Sequence, residues 1–271
     1  MFLTRHQFPN GPRWARDGRQ LPLGFSLADM LELPRSIAID YVSILPTGAT
    51  AESPLLAPIE PIQEVWAAGV TYQRSLEGRM EESHGDDIYE RIYHAERPEV
   101  FFKAVGWRVA GNHQPVRVRP DSDWNVPEPE LVLVFNRDLE IIGYCVGNDV
   151  SSRSIEGQNP LYLPQAKIFD GCCALGPGIM LADGDSLRDV PIQMRIMRGG
   201  ATIYQDSIST AAMKRSFGDL LSTLGGDLAF PVGGFLMTGT GLVPQDAFTL
   251  QPGDEVEISA GELTMRNPVR G

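Results

Sequence analysis

The sequence predicts a predominantly β (α+β) fold with few helices. Short apolar windows recur from about residue 64 onward, and several alternate apolar with polar residues as half-buried strands do. Turn-forming residues separate them, among them NRDLE (136–140), Gly199-Gly200 and Pro252-Gly253. Only the stretch 210–224 carries a clear helical stripe, which is too little helix for a doubly wound parallel sheet.

The first sixty residues are rich in Pro and Gly, with short apolar stretches at 36–45 and 53–59. They read as a small N-terminal lobe, 1–60, that leaves 61–271 as the main domain. EVWAAGVTY (64–72) is a buried-strand window that stops at the polar segment 73–96. That segment is expected to be helical in part and broken at Gly85, as either a solvated excursion or a mobile lid. PVRVRP (115–120) alternates as a strand should. LVLVF (131–135) and IIGYCVGND (141–149) form an expected hairpin about NRDLE, and PIQMRIMRGGATIYQDS (191–207) a second about Gly199-Gly200. In the helix, Met213, Phe217, Leu220, Leu221 and Leu224 share a face. Ser209 or Thr210 is placed to cap its start, and Gly225-Gly226 ends it. DEVEIS (254–259) is a further strand.

The chain has 271 residues, 42% apolar and 21% charged, the composition of a folded globular protein. Its formal net charge of −12 argues against a nucleic-acid surface, which needs clustered Lys and Arg. No apolar run of about 18 residues is present, so no membrane span is expected. The first twenty residues lack the apolar core of a signal peptide. Cys145, Cys172 and Cys173 have neither disulfide-framework nor zinc-ligand spacing. Buried thiols and a reducing cytoplasm are the expectation.

Chemistry concentrates in WNVPEPELVLVF and the strand after it. Glu128 and Glu130, two apart, point to one face of a strand. Pro127 and Pro129 suit a strand start or an edge. If the next strand returns antiparallel, Asp149 at its end comes back beside Glu128. Three close carboxylates repel one another, and a divalent cation removes that cost. Oxygen-only ligation selects Mg²⁺ first, then Mn²⁺ or Ca²⁺. Glu-x-Glu is also common on solvated edges and Asn-Asp often makes a plain turn, so this pattern alone leaves both readings open.

The longer run GNDVSSRSIEGQNPLYLPQAKIFDGCCALGPGI, with PEPELVLVF before it and FLMTGTGLVP, LQPGDEVEI and GELTMRNPV after it, resembles the fumarylacetoacetate hydrolase family. The similarity covers roughly 64–270. It implies a β-rich roll, commonly a homodimer or higher homo-oligomer, with 61–271 as the catalytic domain. It also implies that Glu128, Glu130 and Asp149 ligate the metal and that Lys167 is the active-site lysine. Arg153 and Glu156 fall in the stretch after the metal aspartate, and Thr240 of TGTG matches a threonine that contacts substrate. Many members carry a histidine general base in the segment matching 69–82, and Ser75 stands at that position here. A hydrolytic mechanism that uses that histidine is therefore disfavoured. GVTYQRS, ERPEVFFKA and IEGQNPLYLPQAK look similar to members that dehydrate 2-keto-3-deoxy sugar acids.

The implied reaction follows from the substrate class. A 2-oxo acid chelates a metal through its carboxylate and keto oxygens, which acidifies C3–H and stabilises an enolate. Loss of the C4 hydroxyl completes a dehydration, giving 2-oxoglutarate semialdehyde from 2-keto-3-deoxy-arabinonate. Lys167 is the expected base, and Glu99 or Glu77 the second proton carrier. Arg74 and Arg153 are expected to hold substrate carboxylate or hydroxyls, with Ser75, Glu156 and Thr240 beside them. The alternatives are C–C hydrolysis or decarboxylation of a β-diketo or oxo-dicarboxylic acid. A non-enzymatic binding module stabilised by calcium is the distant one.

Overall fold

A computed structural model describes residues 1–74, 88–245 and 247–271. In chain order its strands are β1 (Phe2–Phe8), β2 (Gly11–Arg16), β3 (Arg19–Gln20), β4 (Leu55–Leu56), β5 (Glu64–Gly69) and β6 (Glu99–Val105). They continue with β7 (Val116–Arg117), β8 (Asn125–Val126), β9 (Pro129–Phe135), β10 (Ile141–Asp149), β11 (Ser151–Ser152) and β12 (Cys173–Leu181). The last five are β13 (Pro191–Arg198), β14 (Ala201–Ser209), β15 (Gly234–Met237), β16 (Glu255–Ala260) and β17 (Leu263–Arg270).

One large sheet runs β3-β2-β1-β12-β10-β9-β15-β5-β6, with β4 on β1. It closes on itself. Beyond β6, Ala110 bridges Ala174 of β12: its N–H donates to Cys173 O at 2.9 Å, and its carbonyl accepts from Leu175 N at 2.9 Å. Strands β12, β10, β9, β15, β5 and β6 thus form a closed roll. Val65, Ala67, Ala104, Val132, Val134, Cys145, Leu175, Phe235 and Met237 share its inner core. These strands read as near-continuous apolar runs because both of their faces are covered. The outer face carries Leu131, Leu133, Phe135, Tyr144 and Val146. They pack against a second sheet, β14-β13-β16-β17-β7, and the helix Phe217–Leu224.

The first sixty residues add β1–β4 to the edge of the large sheet and two helices, Leu27–Leu31 and Arg35–Ile44, to the inner core. Leu31 sits at the turn end of the β9–β10 hairpin, where its carbonyl accepts from Arg137 N at 2.8 Å. That end of the roll is plugged, and the Glu128–Asp149 end lies opposite.

The helix expected over 210–224 forms only at Phe217–Leu224, preceded by a 3₁₀ turn at Thr210–Ala212. The cap is Ser216, not Ser209 or Thr210. Its hydroxyl accepts from Asp219 N while the Asp219 carboxylate accepts from Ser216 N, a reciprocal box. Upstream, Met213 bridges Tyr72 and Lys214 N donates to Thr71 O at 2.9 Å, so that backbone is committed elsewhere. The strand expected at 115–120 shortens to β7, parallel to β17. Most of the polar segment 73–96, including Ser75, Glu77 and Gly85, lies outside the described residues, and so does the lid expectation. Its described part holds the helix Ile88–His94. Among the described residues no helix is long and apolar enough to cross a membrane. All three cysteines are buried and free.

Candidate functional site

The β9–β10 hairpin builds the floor of the site. Glu130 pairs with Gly147 and Pro129 with Asn148, and Asp149 N donates to Glu128 O at 2.9 Å. Asp149 therefore stands opposite Glu128. Opposite residues share a face, so Glu128, Glu130 and Asp149 project together. Their oxygens lie within 4.8 Å of one another and all three side chains are buried. The set is oxygen-only, which suits a hard divalent cation.

Burial pushes the Glu130 carboxyl well above the usual carboxylate range, and the charges of Asp149 and Glu128 add to it. Positive charge arriving beside it would favour its ionised form. Partial relief comes from Lys167 and from Gly239 N, which donates to Glu130 Oε2. Gly239 has φ +90°, and a Cβ there would overlap Thr71 Oγ1. The Thr-Gly-Thr-Gly motif thus brings a backbone N–H onto the carboxylate because its second residue is glycine.

Three cations meet the three carboxylates. Lys167, the last residue of the helix Leu163–Lys167, donates to Glu128 Oε2 at 2.7 Å, Asp149 Oδ2 at 2.9 Å and Ser151 Oγ at 2.6 Å. Its ammonium bridges two of the carboxylates, which shows that this cradle accepts positive charge. Arg153 opens the helix Arg153–Gln158, capped by Ser152, and its Nη2 lies 2.8 Å from Glu128 Oε1. The third cation is Lys103, fully buried and ion-paired with Asp149 Oδ1. Burial, the largest influence, works against its charge, but Asp149 together with Cys172 and Cys173 outweighs it, and the ammonium is held above its ordinary value.

A narrow cleft opens onto this cluster. Gly69, Glu99, Glu156, Lys167, Arg153 and Thr240 are among its walls. Glu99 begins β6 and pairs directly with Gly69 of β5. A Cβ at 69 would overlap the Glu99 carboxylate, so the glycine lets that group lie across the strand. The larger surface groove beside Arg188, Met213 and Phe217 has none of these residues in its walls.

The structure thus brings together Glu128, Glu130, Asp149, Lys167, Arg153, Glu156, Glu99 and Thr240. Arg74 is turned elsewhere, to Asp206 Oδ2 at 2.5 Å on the surface. Ser75 and Glu77 lie outside the described residues. Sequence reasoning missed Lys103. A signal existed: the chain has only three lysines, at 103, 167 and 214, and Lys103 interrupts the apolar run of β6.

The family model described as "Fumarylacetoacetate (FAA) hydrolase C-terminal" matches residues 64–270. The chain belongs to the fumarylacetoacetate hydrolase family. Within that family it is 49% identical over 209 residues to the probable 2-keto-3-deoxyxylonate dehydratase of Haloferax volcanii, covering 76% of this chain and 72% of that protein. It is 39% identical over 242 residues to the 2-dehydro-3-deoxy-D-arabinonate dehydratase of Saccharolobus solfataricus, covering 87% and 81%. A solved 2-keto-3-deoxy-D-arabinonate dehydratase complexed with magnesium and 2,5-dioxopentanoate superposes with a TM-score of 0.84 at 31% identity, over 100% of this chain and 99% of that one. A second crystal form of such a dehydratase gives 0.87 at 32% identity, with the same coverage. The relatives are hydro-lyases, and this chain is an enzyme of that class.

Proposed function

We propose that the enzyme is a Mg²⁺-dependent dehydratase of a five-carbon 2-keto-3-deoxy sugar acid. The observation that carries this reading is the buried, oxygen-only triad beside Lys167, facing a cleft whose wall includes Glu99. The similarity to two sugar-acid dehydratases supports it. Glu128, Glu130 and Asp149 would hold the ion, which when bound supplies Lewis-acid polarisation of a 2-oxo acid carbonyl.

The chain's own groups do the rest. The triad is withdrawn from water, so charges around the cleft act in a low effective dielectric. Lys167 presents its Nζ at the cleft floor and, as the neutral amine left when one of its protons passes to solvent, takes the proton from C3. Glu99 supplies the proton with which the C4 hydroxyl leaves as water. Rearrangement then gives the dioxo acid, so the product is the substrate minus one H₂O. Arg153 holds Glu128 in place while facing the cleft, and Thr240 and Glu156 orient the substrate. Ser75 keeps this reading away from hydrolysis, since dehydration needs no activated water.

Mass spectrometry of the product from a five-carbon 2-keto-3-deoxy acid with Mg²⁺ tests the proposal. The expected product has lost one water and, in deuterium oxide, carries solvent deuterium. Pyruvate or another shortened acid from a diketo acid, with the sugar acids untouched, would overturn it in favour of C–C hydrolysis.

A further inference from the structure

Two of the chain's three lysines lie at the carboxylate triad, and they are built differently. Lys167 borders the cleft. Lys103 is fully buried and is not among the residues that wall the cleft. It reaches the triad because β6 bulges there: Phe102 pairs with Trp66 and Ala104 with Val65, leaving Lys103 as the extra residue. A bulge re-aims a side chain that regular alternation would place elsewhere. Its ammonium donates to Val150 O at 3.1 Å and Lys167 O at 2.6 Å and pairs with Asp149 Oδ1. Two backbone carbonyls and one carboxylate thus surround an ammonium that does not border the cleft.

Those acceptors sit on the parts of the site that must keep register. Asp149 ends β10, Val150 follows it, and the Lys167 carbonyl closes the helix that carries the other lysine. Lys103 pairs with one oxygen of Asp149, while the other, Oδ2, accepts from Lys167, the ammonium that also reaches Glu128.

We propose that Lys103 is a positioning residue that limits Asp149 to one available oxygen and ties the backbone of Lys167 to it, and so selects a small hard cation over a larger one. The inference rests on the triad being the metal site. The chemistry is general: Ca²⁺ takes bidentate carboxylates and seven or eight oxygens readily, whereas Mg²⁺ demands compact octahedral ligation. Releasing Oδ1 favours the larger ion.

Calorimetry on the full chain without substrate, with Mg²⁺ and Ca²⁺ separately, tests this for the wild type, Lys103→Met and Lys103→Gln. Removing a positive charge strengthens binding of both ions, so the ratio is the diagnostic quantity. The Ca²⁺-to-Mg²⁺ affinity ratio is expected to rise by about tenfold or more, within the span that partners of ligating residues command. An unchanged ratio in a folded variant would overturn the proposal, because a merely structural lysine changes both affinities alike. Wild-type protein that binds neither ion would sink the metal reading, and this inference with it. If neither variant folds, ¹⁵N-lysine labelling of the wild type decides. Only three ammonium signals are expected, and Lys103 should appear as a slowly exchanging one at neutral pH with or without Mg²⁺. Its loss to rapid exchange would refute the closed set of contacts.

Discussion

Replacing Gly69 by alanine is expected to move Glu99 without removing it. The added Cβ would overlap the Glu99 carboxylate oxygen and stand 2.8 Å from its Cδ. Carbon atoms in contact settle near about 3.5–4.0 Å, so the carboxylate must retreat by roughly 1 Å. It is the far end of a flexible side chain, so it can give way without a shift of the backbone. A misplacement of about 1 Å in a reacting group costs roughly 10²-fold in rate. The expected Gly69→Ala phenotype is therefore a kcat about 100-fold down, with Mg²⁺ affinity intact because Glu99 is outside the triad. Steady-state kinetics with parallel calorimetry and a thermal melt make the assay. Glu99→Gln should fall at least as far, and the double variant little further than Glu99→Gln alone. A Gly69→Ala enzyme with near-normal kcat and an unchanged melt would refute the assignment of proton transfer to Glu99.

Lys167→Met should lower kcat by about 10² to 10⁴ while Mg²⁺ affinity holds or rises, since a competing cation leaves two ligands. A normal kcat with raised KM would make it a binding residue instead. Glu130 predicts a pH signature. Its folded pKa lies above the unfolded value, so without metal its contribution to stability is full below the ordinary carboxylate range and is lost as pH rises through the folded value. Metal binding favours the ionised carboxylate, so Mg²⁺ affinity should rise with pH, and titrations in buffers of different ionisation enthalpy should show proton release. Binding without proton release would contradict it. Ser216→Ala should cost about 1 kcal/mol, a drop of about 2–4 °C in Tm, through loss of the cap. An unchanged melt would argue against a helix that starts there.

The strands that carry the site were legible because they are long, apolar and punctuated: the β9–β10 hairpin about NRDLE places Asp149 opposite Glu128 as its register requires. The helix start was not. Apolar spacing continues through Met213, while Thr71 and Tyr72 draw that backbone into tertiary contacts that no local pattern reports. Lys103 was hidden for a related reason. A bulge is set by the partner strand, so alternation along β6 gives no hint that residue 103 points at Asp149. Arg74 shows the converse: its type fits anion binding, but Asp206 competes for it from a distant strand. The Gly69–Glu99 approach likewise depends on the β5–β6 register.

The closure through Ala110 and Ala174 bears on how the site fails. Glu130 and Asp149 sit on neighbouring staves of a hoop, Glu128 lies just ahead of one stave, and none of them hangs on a loop that can fray alone. Scattering the ligands requires opening the hoop, and opening the hoop exposes the inner core. Local and global opening are then expected to have the same free energy at these positions. A bound ion should therefore slow amide exchange in β9 and β10 by the same factor by which it shifts the unfolding equilibrium of the whole chain. Glu156 and Thr240, proposed to meet the substrate, stand on a short helix and a glycine-flanked turn at the cleft. Substrate preference can drift there without loosening a stave.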